Sequence, residues 1–143
     1  MIYLVYASTA THSLNASEIA ALFQKCRDNN RRNGITGLLL YSNGQFIQLV
    51  EGHEADVMRC YEKICHDPRH TDVLKLVQKP LCGRVFKDWS MAIPDSEAPT
   101  HNLPEGFSPF LREPISVADY GGSIHEGLFL LLSFKKQMEW GRS

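Results

Sequence analysis

The sequence carries almost no net charge: 15 lysines and arginines against 16 aspartates and glutamates leave −1 at neutral pH. So weak a field does not gather nucleic acid or an anionic membrane surface, and neither is expected as a partner. Long apolar runs are missing too. The greasiest late stretch, Gly127 to Phe134, falls far short of the roughly 20 residues a membrane-spanning helix needs. The opening MIYLVYAS has no basic segment followed by a small-residue cleavage site, so a cytoplasmic location is expected. Cysteines stand at 26, 60, 65 and 82 without any C-x-x-C pair. Three of them fall where helix or strand interiors are expected, which favours reduced, buried thiols over a disulfide framework or a zinc site.

Chemical signatures are equally sparse. Gly34-Ile35-Thr36-Gly37 lacks the lysine and further glycines of a phosphate loop. No Ser-His-Asp or Cys-His set converges, no paired carboxylates stand out, and the strands lack the stacked aromatics of an RNA-binding module. The run His66-Asp67-Pro68-Arg69-His70 offers two histidines but no third ligand, so a loop with an anion contact from Arg69 is expected there rather than a metal site. Repeats and low-complexity tracts are absent.

What remains is an ordinary globular composition, 43% hydrophobic and 22% charged over 143 residues, enough for one domain and an appendage. Residues 2–8 read as a strand rich in β-branched and aromatic residues. Asn15 can cap a helix, with Glu18 three residues on in capping-box position. Ile19, Leu22, Phe23 and Cys26 recur on one helical face, and Gly34 ends the segment. Strands at about 35–42 and 45–51 flank the turn Ser42-Asn43-Gly44. A second helix at about 54–66 carries Val57, Met58, Tyr61, Ile64 and Cys65 on one face and stops at Asp67-Pro68. Further strands are expected at about 72–79 and 85–93. The order β-α-β-β-α-β-β predicts an α+β, ferredoxin-like sheet with two helices on one face, its first and third strands adjacent at the centre. Placement of the fifth strand stays open. Residues 1–93 form the expected domain, and 94–143 a proline-rich connector and C-terminal helical extension. That helix, at about 124–139, is capped by Ser123 and Glu126 and is apolar on more than one side.

The informative residues are polar groups on faces that should be apolar. With Ile19 at zero and about 100° per residue, Leu22, Phe23 and Cys26 fall at roughly −60°, +40° and −20°. Asn30 falls at roughly +20°, inside the buried arc, and Asn29 at its edge. Two readings stay open: a C-terminal capping residue, or a buried amide that needs a partner. Gln48 shares a strand face with Phe46 and Val50, and Tyr6 shares one with Ile2, Leu4 and Ser8. A satisfied core Tyr–Gln hydrogen bond explains that pair alone. Convergence of Tyr6, Gln48 and Asn30 on one place suits a planar heteroaromatic ligand between the helices.

These residues, taken together, resemble the BLUF domain, a blue-light sensor that uses FAD. The likeness covers about residues 1–93. It rests on IYLVYAS with Tyr6, the Asn29-Asn30 pair, NGITGLLLYSNGQFIQLVEG with Gln48, the HDPRH segment at 66–70, and FKDWSM with Trp89 and Met91, in that order. The resemblance implies a flavin ring between the two helices, hydrogen-bonded by Asn30 with Asn29 nearby. It implies Ile64 packed on the ring, Asp67 and Arg69 toward the ribityl and phosphate side, and His70 near the ring. Lys63 matches a position where Arg is an alternative in relatives; it keeps the charge without the bidentate fork. Cys26 replaces a small polar residue of some relatives. FAD is the implied cofactor, with FMN as the alternative.

The implied mechanism is photochemical and involves no substrate turnover. Tyr6 gives an electron and a proton to the excited flavin, and Gln48 rearranges by rotation or tautomerisation. Gln48 then makes a new hydrogen bond to a flavin carbonyl, and absorption shifts slightly to the red. Trp89 and Met91 pass the change to the C-terminal segment; which of the two faces the flavin is left open. No effector domain fits after Ile93, so output is expected through the tail helix, a second protomer and an unidentified downstream protein. The rivals are a small flavin-dependent oxidoreductase and a non-flavin ligand-binding module of the same fold.

Overall fold

Local sequence signals account for most element boundaries in the computed structural model, which describes residues 1–42, 44–86 and 89–92 together with 127, 130, 131 and 133. The chain runs β1 (Ile2–Ala10), α1 (Ala16–Arg32), β2 (Thr36–Ser42), β3 (Gln45–Gly52), α2 (Glu54–Cys65), β4 (His70–Pro80) and β5 (Trp89–Ala92). At the start of α1 the Asn15 side chain accepts from the Glu18 backbone N–H, and Glu18 accepts from the Asn15 N–H, a complete capping box. The helix stops in a Schellman motif. Gly34, at φ +68°, donates to Arg31 O, and Ile35 N–H donates to Asn30 O at 2.8 Å. Asn33 is the C-cap. Of the two readings of Asn30, capping is therefore set aside.

The sheet order is β4-β1-β3-β2-β5, with β1 and β3 adjacent at the centre as expected. The β1–β3, β1–β4 and β2–β3 pairs are antiparallel, and β5 joins β2 in parallel. β4 begins at His70, two residues before the expected start, so His70 is a strand residue. β5 is shorter than expected because Val85 and Phe86 lie outside it.

Strand alternation divides the core in two. On the helix side, Ile2, Leu4, Tyr6, Val50 and Val57 form one cluster, while Ile19, Leu22, Phe23, Leu39, Phe46 and Trp89 form another. On the far side, Tyr3, Val5, Leu38, Leu40, Ile47 and Leu49 pack with Phe86 and Leu131. Gly127, Leu130, Leu131 and Ser133 are helical. Leu131 is fully buried on this far face and Leu130 packs beside it. A Cβ on Gly127 would stand 2.8 Å from the Tyr3 ring and 3.0 Å from Leu49 Cδ1, so this backbone lies close on the sheet. Apart from those four residues, the expected connector and extension over 94–143 lie outside the described residues.

Because β4 and β5 occupy opposite edges, the link between them has to cross the sheet. Glu51, fully buried, holds that link in place. Its carboxylate accepts from the Val85 and Phe86 backbone N–H groups, both at 2.9 Å, and from the Thr36 hydroxyl at 2.8 Å. Arg84 continues the network by donating to Thr36 Oγ1, Glu51 O and Gly34 O. Replacing Glu51 with Ala would take the carboxylate partner from one buried and one part-buried N–H group. At about 1–3 kcal/mol each, the expected loss in stability is on the order of 3 kcal/mol, to be read from the urea midpoint of the full chain.

Candidate functional site

Between α1, α2 and the sheet lies a cavity of about 170 Å³. Its floor is set by the central strand pair, where Tyr6 stands directly opposite Gln48 in the β1–β3 register. Both side chains are almost wholly buried, and the Tyr6 hydroxyl donates to Gln48 Oε1 at 2.5 Å. An acceptor thus fixes the phenol, and the phenol fixes the amide: Oε1 faces Tyr6, and the amide nitrogen has no protein acceptor among the described residues. Burial, reinforced by the nearby thiols of Cys60 and Cys26, pushes the Tyr6 pKa well above the usual phenol value. The residue keeps its proton throughout the physiological range.

The α1 wall supplies Asn30, only 6% exposed, and half-buried Asn29 one residue before it. The Asn30 carboxamide oxygen accepts from the Cys60 thiol of α2 at 3.8 Å. Its amide nitrogen also lacks a protein acceptor among the described residues. Leu22, Leu39 and Ile64 contribute apolar walls from α1, β2 and α2. Cys26 lines the same space, and burial raises its pKa and that of Cys60 to about 11. These two half-buried thiols agree with the expectation from sequence. Cys65 and Cys82 correct it, being exposed at a helix end and in a turn.

Beyond α2, Asp67 and Arg69 line the cavity but are first of all partners of each other. The guanidinium meets the carboxylate at 2.6 Å (Nη2–Oδ2) and 3.0 Å (Nε–Oδ1), and the Arg69 backbone N–H adds a bond of 2.9 Å. Hydrogen bonding from Arg69 holds the Asp67 pKa down at about 2. His70 lines the cavity from β4, with Nδ1 2.8 Å from Ser8 Oγ and its ring 4.6 Å from that of Phe46. Burial lowers its pKa, so the imidazole is neutral at pH 7. Lys63 also lines the site, joined by Lys25, Asn33 and Arg59. Lys25 and Lys63 are exposed and have no ion-pair partner among the described residues, and Arg59 contacts Asp56 at 3.5 Å. The cation-rich mouth was the feature least visible in sequence. Its one signal was helical spacing: Lys25, Asn29 and Asn33 recur every four residues, as do Arg59 and Lys63.

Trp89 stands apart. Trp89 is fully buried under α1, its ring stacked on Phe23 at 6.0 Å, and it is not among the cavity-lining residues. Met91 is placed by register: Leu39 pairs with Gln48 on one side and with Met91 on the other. A single row therefore runs Tyr6, Gln48, Leu39, Met91 across four strands.

The cavity thus offers inward-facing amide donors, apolar plates and a positive mouth, which suits a flat heteroaromatic ring with acceptor groups and an anionic tail. Among the described residues, no group of three or more His, Cys, Asp or Glu side chains could hold a metal ion, and no helix is long and apolar enough to cross a membrane.

Comparison with known proteins points the same way. Residues 1–92 match the family described as BLUF, sensors of blue-light using FAD. The photoactivated adenylate cyclase subunit beta of Euglena gracilis is 37% identical over 89 residues, covering 62% of this chain and 10% of that protein. The dark-state structure of the BLUF protein BlrB superposes with a TM-score of 0.60 at 35% identity, covering 64% of this chain and 70% of the other. BlrP1 of Klebsiella pneumoniae, with FMN and cyclic diGMP, gives 0.58 at 32% identity, covering 65% and 25%. The chain therefore spans only about 10% of the length of the cyclase subunit it matches.

The Asp67–Arg69 pair generates a pH prediction. Since the folded pKa lies near 2, below the ordinary 3.8, the stabilisation is complete above about pH 4 and disappears as pH falls toward 2. Asp67→Asn should accordingly be less stable than the parent at pH 6, with the gap in urea midpoint closing between pH 4 and 2. A gap independent of pH would contradict the assignment.

Proposed function

The chain belongs to the BLUF family of flavin-binding blue-light sensors, and from that premise we propose that Tyr6 and Gln48 form its photoactive pair in the cavity between α1 and α2. The observation that carries this is the buried bond from the Tyr6 hydroxyl to Gln48 Oε1, with the rest of the amide turned to the cavity. A bound flavin supplies blue-light absorption and, once excited, a strong oxidant. The protein's part follows from its own groups. Tyr6 is a neutral phenol, and losing an electron makes a phenol strongly acidic, so electron and proton leave together. Among the described residues, the polar atom its O–H addresses is Gln48 Oε1, which takes the proton. Gln48 then rotates or tautomerises, exchanging its donor and acceptor ends relative to the cavity. Electron and proton return to Tyr6, and the altered amide is what persists. No substrate bond is made or broken, so this domain senses and does not turn over.

The remaining residues fit binding. Asn30, with Asn29 beside it, donates to the polar edge of the ring, and Leu22, Leu39 and Ile64 pack on its faces. Lys25, Lys63 and Arg59 take the phosphate side, more directly than Arg69, whose guanidinium is engaged by Asp67. His70, neutral and tied to Ser8, closes the end near Tyr6. FAD is the proposed cofactor, with FMN meeting the same cations through its phosphate. For output, Leu39 links Gln48 to Met91 in β5, while Leu49, next to Gln48 in β3, touches the Gly127 segment on the far face. A change at Gln48 thus has a route to the C-terminal segment, and from there to a second copy of the chain and a downstream protein. A cytoplasmic location belongs to the same reading, since it would keep the free thiols reduced.

Three outcomes test this. The purified protein should be yellow and redden reversibly under blue light without bleaching. Tyr6→Phe and Gln48→Leu should each retain flavin and lose the red shift; survival of the shift in either would remove that residue from the mechanism. A Lys25→Ala/Lys63→Ala double variant should bind FMN and FAD roughly tenfold more weakly while riboflavin affinity is unchanged, as measured by fluorescence quenching at two salt concentrations.

A further inference from the structure

Two of the amides that line the cavity, those of Gln48 and Asn30, each accept a hydrogen bond from a neighbouring side chain. For Gln48 the donor is the Tyr6 phenol. For Asn30 it is the thiol of Cys60, 3.8 Å from Oδ1. Burial keeps this thiol protonated at neutral pH, with its pKa at about 11. A thiol is a weak donor, and its sulfur a weak acceptor. The Asn30 backbone is already immobilised, because its carbonyl closes the helix-stop motif by accepting from Ile35 N–H. Its side chain is more than nine-tenths buried, which leaves the amide flip as the one freedom that matters. One flip sets Oδ1 against the thiol hydrogen and Nδ2 toward the cavity. The other gives up the bond to Oδ1, leaves the NH2 only the weakly accepting sulfur, and turns a bare oxygen to the ligand.

We propose that Cys60 is a positioning residue that selects the first flip of Asn30, so that this wall of the cavity demands a hydrogen-bond acceptor such as a ring carbonyl. Cys26 lies one turn before Asn30 on α1 and lines the same cavity, but it makes no bond to the Asn30 amide. The selection therefore comes from across the cleft. It also couples the two helices: Asn30 presents its donor correctly only while α2 keeps Cys60 within reach. The proposal rests on the reading that flavin occupies this cavity.

The test is a double-mutant cycle on the full chain reconstituted with FAD. Variants Cys60→Val, Asn30→Ala and the pair are compared with the parent by dissociation constant and by the dark-state flavin carbonyl stretching band. Cys60→Val should weaken binding roughly three- to tenfold, the range expected for one hydrogen bond, and move the carbonyl band to higher frequency. In the Asn30→Ala background the same substitution should do neither. A penalty that persists without Asn30 would reduce Cys60 to packing and overturn the proposal, as would a Cys60→Val protein matching the parent in both readouts. If Cys60→Val does not fold, Cys60→Ala enters the same cycle with the same criteria. Failure of the parent chain to take up FAD would instead overturn the flavin reading itself.

Discussion

The bond between the Tyr6 hydroxyl and Gln48 Oε1 is the constraint on which the rest of the site depends. Two polar side chains on the central strands of a sheet, both beneath helices, are tolerable only if each satisfies the other. That requirement pins the β1–β3 register, since a slip of one residue in either strand would turn its own polar side chain to the far face and leave the other without its partner. It also leaves the other half of the Gln48 amide without a protein partner. The site is built around that unfinished valence.

The remainder of the fold protects this arrangement and gives it neighbours on both sides. Strand β3 sends Gln48 toward the helices, and it sends Leu49 and Glu51 toward the opposite face. Leu49 meets the segment at Gly127, and Glu51 fixes the crossing link before β5. β3 is therefore in contact with two places that lie outside the cavity. Strand β2 adds a third through Leu39, whose register ties Gln48 to Met91. Trp89 takes no part in the cavity, because it is packed against Phe23 under α1.

Charge is arranged so that the interior of the site stays neutral and its mouth does not. Tyr6 and the two thiols hold their protons because burial penalises their anions, and His70 is neutral for the converse reason. Asp67 and Arg69 cancel locally. Lys25 and Lys63, which have no ion-pair partner among the described residues, sit exposed at the mouth. A neutral, polar interior is what the proposed reversible proton shift between phenol and amide would require, since a permanent charge there would bias one end.

The sequence alone determined which elements form, because the signals are local. Asn15 with Glu18 starts α1, Gly34 ends it, and strict alternation in β1 and β3 places Tyr6 and Gln48 on one face. The ordered motifs also carried the family likeness. It did not determine whether Asn30 caps or is buried; that choice needed Asn33 and Gly34 to form the helix stop, a matter of backbone conformation. Tertiary structure decided everything that depends on distance between segments far apart in the chain. Cys60 reaching Asn30 across the cleft, Glu51 meeting Val85 and Phe86, Asp67 engaging Arg69 before any ligand, and β5 docking in parallel beside β2 are of this kind. Periodicity states which way a side chain faces, but not what stands opposite it.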